Sequence, residues 1–394
     1  MTKYSIFSTR KLLICFLIVL IAVSTLGFAA TSSRQTPAIS KNSVKVVKPR
    51  PPVWLSLGKP MVNFNFRLAF GDMTSIKLSP HGSVLALVRE MTESLKGYVE
   101  VSLFDVKKKT RIARLEVLGS EVAFTPDERT IALSVDDRVT VWDVHTGARR
   151  LTLKGIPESC QIAFSPDGRL LATAGKKRCT IDLWDWRTGV LKAELCDRTL
   201  YDYLDYFYRS GSSASPFGCE GDVGDTFTIR FSPDGKLLAF DIGCVVDIWN
   251  LKSRTLFRTT EYFDFWFISD KTLLAQEHDS YEIVLCQPMT ERNLFSHFVP
   301  DCFKTAKTLP IDTHWGWVEE LSLPQKKVIV RLGTYNLGKN HDTEISAVVV
   351  SDVKSLADKK VLPLPKDGRY SLSDDGKYVA VLVKDQVRVW RVPL

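Results

Sequence analysis

The chain has 394 residues, 45% of them apolar and 25% charged, with a formal net charge of +8. This is ordinary globular composition, with enough apolar material for one large repeat domain or two ordinary ones. The positive charge suggests nucleic acid only until it is located. Residues 1–59 hold nine Lys or Arg and no Asp or Glu, so the remaining residues carry 44 basic against 45 acidic side chains. A nearly neutral folded part excludes the basic footprint on which nucleic-acid binding rests.

Along the chain, Lys3, Arg10 and Lys11 precede an uncharged run from Leu12 to Ala30. A basic flank, an apolar stretch and the small pair Gly27 and Ala29 make residues 1–30 an export signal. The run also approaches the roughly 20 residues that span a bilayer, so a retained N-terminal anchor is the alternative. Cys15 follows Leu13 and Ile14 rather than a small residue, which argues against lipidation. Residues 31–59 are basic and rich in Ser and Pro, and read as a semi-extended linker.

From residue 60 onward a unit repeats. The turns SPHG (79–82), TPDE (125–128), SPDG (165–168), SPDG (232–235), ISDK (268–271), LPQK (323–326) and SDDG (373–376) each sit between two short apolar segments. Asp-Gly is a tight-hairpin signal, since Gly tolerates the positive φ such turns require. Downstream of each comes a second landmark: LFDV (103–106), VWDV (141–144), LWDW (183–186), IWNL (248–251), VLCQ (284–287), VVSD (349–352) and VWRV (389–392). Turns and landmarks alternate strictly, as expected of a four-strand unit of about 40 to 45 residues with loop insertions.

This pattern resembles the WD40 repeat, through Phe164, Ser165, Pro166, Asp167, Gly168, Leu171, Ala172, Trp184 and Asp185 in the third unit and DDRVTVWDVHTG in the second. YVTN- and TolB-like propellers are the competing family. The resemblance implies an all-β fold over residues 60–394, a seven-bladed β-propeller of four-stranded antiparallel blades. No unit opens with the family's Gly-His pair, so its Asp-His-Ser-Trp network is not expected to be complete. Independently of the resemblance, LLATA (170–174), LLAFDI (237–242) and YVAVLV (378–383) are apolar on both faces, as strands sandwiched between neighbouring sheets must be. The last unit ends after its third strand, and NFNFRLAF (63–70) alternates suitably to supply the fourth. That pairing would close the ring through an N-terminal outer strand and remove an exposed edge.

Strand order fixes the loops. First-to-second and third-to-fourth turns share one face, the lower; second-to-third turns and blade-to-blade connections share the other, the upper. The long insertions concentrate on the upper face, at 197–225, 300–315 and 336–344. The first contains Tyr201, Tyr203, Tyr206, Phe207 and Tyr208 among acidic residues. Tyr offers large contact area with little rotamer entropy, so these five are candidate partner-binding residues, with self-packing on the propeller as the alternative.

His278, His314 and His341 map to upper-face loops, each with an Asp nearby, and are weak candidates for a metal or acid-base site. No HExxH or CxxC spacing accompanies them, and there is no GxSxG elbow, P-loop or dinucleotide fingerprint. Neither a metal nor a cofactor is therefore expected. Cys179, Cys196, Cys219 and Cys244 are disulfide candidates in an oxidising compartment, with buried thiols as the alternative.

The sequence thus points to an exported or membrane-anchored, non-enzymatic and monomeric scaffold. It is expected to bind a protein, or a polymer, through upper-face loops, to touch membrane only through residues 1–30, and not to bind nucleic acid. A propeller hydrolase or lactonase with a site at the upper mouth is the alternative.

Overall fold

The computed structural model describes residues 53–393 apart from 67–72, 91–97, 119–120, 136–137, 157–160, 176–179, 197–226, 243–245, 260–261, 270–271, 278–282, 287–306, 309–317, 323–326, 333–345, 353–359 and 366–367. Every regular element among them is a β-strand. Two N-terminal strands, β1 (Val53–Trp54) and β2 (Val62–Asn65), precede the first blade. Blade one is β3 (Met73–Leu78), β4 (Val84–Glu90), β5 (Tyr98–Asp105) and β6 (Thr110–Leu118). Blade two is β7 (Glu121–Phe124), β8 (Thr130–Val135), β9 (Arg138–Asp143) and β10 (Arg149–Lys154). Blade three is β11 (Gln161–Phe164), β12 (Leu170–Gly175), β13 (Thr180–Asp185) and β14 (Val190–Cys196).

Blade four is β15 (Phe227–Phe231), β16 (Leu237–Ile242), β17 (Val246–Asn250) and β18 (Thr255–Thr259). Blade five is β19 (Tyr262–Ser269), β20 (Thr272–Glu277), β21 (Ile283–Cys286) and β22 (Lys307–Thr308). Blade six is β23 (Val318–Ser322), β24 (Lys327–Leu332), β25 (Ser346–Asp352) and β26 (Lys360–Leu364). The last blade takes β27 (Arg369–Leu372), β28 (Tyr378–Val383) and β29 (Gln386–Arg391) from the C-terminal end. The described strands form seven sheets, and within each blade neighbouring strands run antiparallel.

The seventh sheet has the order β2-β29-β28-β27, so its outer strand comes from the other end of the chain. Val62 pairs with Val389 and Asn65 with Gln386. The expected segment 63–70 is thus the closing strand over its described part. The backbone bonds continue past both ends of β2, with the Met61 N–H on the Val389 carbonyl at 2.8 Å and the Phe66 N–H on the Asp385 carbonyl at 2.7 Å. Period-two alternation fixes the register, because Val62 and Phe64 are buried while Asn63 and Asn65 are exposed.

Packing between blades follows from two-sided burial. Apolar residues of blades one and two form one cluster around Val101, Leu103, Phe124 and Leu133. Similar clusters join blades two and three, three and four, and six and seven. At the closing junction Phe64 meets Leu78, Leu85 and Val106 of blade one, and the Phe64 and Phe66 rings each lie 5.2 Å from the Phe104 ring. Blades four and five are pinned differently. Arg230 donates to the Phe265 carbonyl at 2.8 Å, its guanidinium 4.8 Å from the Trp266 ring centre.

Two features depart from the sequence expectation. The Ser-Pro-Asp-Gly turns are wider than two-residue hairpins. The Ser165 N–H reaches the Leu170 carbonyl at 2.9 Å and the Gly168 N–H the Ser165 carbonyl at 2.8 Å, leaving four residues between the paired ends with Gly168 at φ 65. The Asp side chain explains the preference, since its Oδ1 accepts from the Ser165 hydroxyl and the Arg169 N–H. The second departure is in the segment read as linker up to residue 59. Val53 and Trp54 add a fifth strand to blade six, parallel to β26 with Val53 opposite Lys360. Leu55 and Leu57 pack on the cluster joining blades six and seven. The engaged chain therefore begins at least seven residues before position 60.

Truncating Phe64 to Ala should lower unfolding free energy by about 3 kcal/mol, whereas Asn63→Ala on the exposed face of the same strand should change it by less than about 0.5 kcal/mol. Urea denaturation monitored by tryptophan fluorescence reads both, and equal effects would show that β2 is not packed in this register.

Candidate interaction surface

The strands position two rims. On the upper rim, β14 ends at Cys196 and β15 begins at Phe227, so the largest insertion leaves from and returns to this side. Tyr201, Tyr203, Tyr206, Phe207 and Tyr208 lie within it, outside the described residues. His278, His314 and His341, and the cysteines at 179, 219 and 244, are likewise outside the described residues. Cys196 is half-buried at the end of β14, opposite Thr180. Among the described residues no group of three or more His, Cys, Asp or Glu could hold a metal ion. Among the same residues no helix is long and apolar enough to cross a membrane.

The lower rim is described in detail. Its inner ring consists of the first-to-second turns. Ser79, Thr125, Ser165, Ser232 and Ser373 are buried at the head of the turns of blades one to four and seven, and the hydroxyls of the last four donate to Asp127, Asp167, Asp234 and Asp375 respectively. Burial works against ionisation of these four carboxylates. The hydroxyl, the backbone N–H two residues on and the adjacent Arg or Lys outweigh it and hold all four below the ordinary value. The turns also touch each other around the ring. The Asp375 N–H donates to the Pro80 carbonyl at 3.0 Å, joining last blade to first. Gly82, at φ 70, sits so close to Tyr378 of the last blade that a Cβ there would lie 2.5 Å from the ring.

Glu128 occupies the position that is Gly in four other turns, and takes φ 58. A left-handed conformation costs a non-glycine residue of order 1–2 kcal/mol. Its carboxylate offsets the strain by reaching across to blade one, accepting from the Ser79 hydroxyl at 2.5 Å, the His81 N–H at 2.6 Å and the Ser83 hydroxyl. This clamp was not legible in the sequence, although a Glu at a glycine position was its signal.

The outer ring consists of the third-to-fourth turns. Asp105, Asp143, Asp185 and Asn250 end the third strands of blades one to four. Each accepts backbone N–H from its own turn: Asp105 from Lys108, Asp143 from His145 and Thr146, Asp185 from Arg187 and Asn250 from Lys252 and Ser253. Asp143 also binds Arg150, and this bond is the largest of the influences that hold it down to about 2. In blade three the Trp186 indole N–H donates to the Gly168 carbonyl at 3.0 Å, and the Arg187 guanidinium stacks 4.5 Å from the Trp186 ring centre. Outer and inner turns are thereby tied together.

Charge separates the two rings. Across 105–111, 143–150, 185–192 and 250–255 there are ten Lys or Arg, all exposed, against three carboxylates. The described inner turns at 125–129, 165–169, 232–236 and 373–377 hold four cations against six carboxylates. A chain-wide count hides this outer basic rim, because acidic residues elsewhere cancel it; the run Lys107–Lys109 was its visible sign.

With blade geometry established, comparison with known proteins is direct. Residues 151–185 match the WD40 family, described as WD domain, G-beta repeat. The WD repeat-containing protein SL1-17 of Schistosoma mansoni is 27% identical over 124 residues, covering 27% of this chain and 41% of that protein. An uncharacterised WD repeat-containing protein of Synechocystis is 25% identical over 176 residues, covering 42% and 40%. The chain thus spans about two fifths of each of these relatives. A chain in the crystal structure of the mitotic checkpoint complex superposes with a TM-score of 0.56 at 14% identity, covering 93% of this chain and 99% of that one.

The chain is a β-propeller that carries a WD40 repeat at residues 151–185.

The matched stretch starts in β10 and ends with β13, so the WD40 sequence repeat takes the outer strand of one blade and three strands of the next. The same offset, carried round the ring, leaves the last blade to be completed by β2. Of the WD40 side-chain network blade three has the tryptophan half, with the Trp184 indole N–H on the Thr173 hydroxyl at 3.1 Å, whereas in blade two the Trp142 indole N–H turns to Thr140 of its own strand. The closed ring of sheets is a rigid frame that presents two rims.

Two predictions follow from the lower rim. Glu128→Ala keeps the strained φ and loses three bonds, and should destabilise by about 2 kcal/mol; Glu128→Gly relieves the strain and should recover about 1 kcal/mol of that. Denaturation midpoints ranking Ala at or above the parent protein would refute the clamp. Asp143 is held below 3.8, so its ionised form contributes stability that is present above about pH 4 and is lost as pH falls toward about 2. Asp143→Asn should keep the turn, as Asn250 does in blade four, yet flatten the fall of thermal midpoint between pH 4 and 2. An unchanged acid profile would show that the Arg150 pair is not formed in solution.

Proposed function

We propose that this WD40 propeller is an exported scaffold without catalytic activity, which binds a protein partner, or a polymer, through loops of its upper face. The observation that carries this reading is the placement of the 197–226 insertion. It springs from the upper ends of β14 and β15, two strands of adjoining blades whose other ends are locked into the lower-rim turns. Loops held by a rigid frame are where binding resides. The five aromatic residues from Tyr201 to Tyr208 lie in this insertion and supply contact area at low entropic cost. The uncharged run from Leu12 to Ala30 supports export, either as a removed signal or as a retained anchor.

Replacing residues 198–218 by a short Gly-Ser bridge should leave thermal stability unchanged, since the frame is closed without them. Affinity capture from the native host should then recover the partner with the intact chain and lose it with the shortened one. Equal recovery by both would remove the insertion from the contact. N-terminal sequencing of the mature protein separates a cleaved signal, beginning near residue 30, from a retained one.

A further inference from the structure

We propose that the lower rim of the propeller docks onto an anionic lipid bilayer, a surface distinct from the upper-face loops. Three observations converge on it. The first is the outer basic ring, in which the turns of blades one to four carry ten exposed cations against three carboxylates, densest at Lys107, Lys108 and Lys109. Basic side chains near an anionic membrane each contribute roughly a fivefold gain in binding.

The second is where exposed apolar side chains fall. Among the described residues the exposed large ones are Val53 at 58%, Met61 at 49%, Val190 at 49% and Leu191 at 42%. Val190 and Leu191 open β14 immediately after the 185–189 turn, where Val190 pairs with Asp185 and Leu191 with Trp184. Val53 opens β1 opposite Lys360, the first residue of the outer strand of blade six. Met61 is bonded to Val389, next to Trp390 at the end of a third strand. By strand direction all four lie at lower ends. Basic residues interleaved with exposed aliphatic ones are the composition of an interfacial membrane contact.

The third is the position of Val53 and the sequence that precedes it. Because β1 runs parallel to β26, Val53 stands at the lower end of blade six. The sequence before it carries the apolar run Leu12–Ala30 and, between Arg34 and Arg50, five cations with no carboxylate. An acidic protein would suit the charges but not the apolar residues. Val190 and Leu191 belong to blade three and Val53 and Met61 to blades six and seven, too dispersed to form the contiguous core of a protein interface. A bilayer accepts such separate points of insertion.

The test uses the full chain carrying an environment-sensitive fluorescent amino acid at Leu191, with Lys154, exposed at the upper end of β10, as control position. On vesicles of phosphatidylcholine with phosphatidylserine, the probe at 191 should shift to shorter wavelength and the probe at 154 should not. Phosphatidylcholine alone, or high salt, should abolish the shift. Lys107→Glu combined with Lys108→Glu and Lys109→Glu should abolish it too, while cosedimentation through the N-terminal segment persists. A probe at 191 that stays aqueous on sedimented anionic vesicles would overturn the proposal, as would a shift equal in both lipids. A probe indifferent to vesicles but shielded by soluble polyglutamate would assign the rim to an acidic protein and overturn it as well.

Discussion

A four-stranded sheet whose middle strands are apolar on both faces cannot stand in water by itself, and every other feature of this chain answers that constraint. Val379, Ala380, Val381 and Leu382 are all buried in β28, and Leu238, Ala239 and Phe240 in β16. Each face must be covered by another sheet, each of those by the next, and the arrangement ends without an orphan face only by returning to its start. A ring of this kind needs its first and last blades to hold together as firmly as the rest. The chain meets that need by giving the last sheet a strand from the N-terminal side.

The closing junction is reinforced beyond strand pairing. Phe64 and Phe66 wedge against Phe104, the Asp375 N–H bonds to the Pro80 carbonyl, and the buried Ser371 hydroxyl accepts the Leu78 N–H at 2.9 Å. The Val53–Leu57 strap adds to this by covering the outer edge of blade six and packing on the last blade. Such redundancy makes the ring a rigid frame from which the insertions leave. Closure is independent of them, and the insertions are free to differ from blade to blade.

Much of the frame was legible in the sequence because its signals are local. Ser-Pro-Asp-Gly gives a buried hydroxyl, a capping carboxylate and a left-handed glycine within four residues, and the Trp-Asp landmark ends a third strand whose Asp accepts the next turn's N–H groups. Relations between distant turns were not legible. Glu128 reads as a poor turn residue until its carboxylate is seen on Ser79, His81 and Ser83 of another blade. The strap was hidden for a different reason, since Val53 and Trp54 make a two-residue strand inside a Pro-rich stretch and carry no periodicity. The basic rim was lost in a chain-wide charge count and emerges only when third-to-fourth turns are taken together. The aromatic residues between 201 and 208, His314, His341 and Cys219 belong to insertions whose sequences carry no repeat signal, so the logic that places the strands does not extend to them.

Amide hydrogen exchange resolved to single residues measures the sealing of the ring most directly. If β2 completes the last sheet, the amides of Met61 and Phe66, which bond to Val389 and Asp385, will exchange as slowly as those of β29 and open together with them in a single cooperative event. Amides at Met61 and Phe66 exchanging at the rate of free peptide while β29 remains protected would contradict a ring closed by its N-terminal strand.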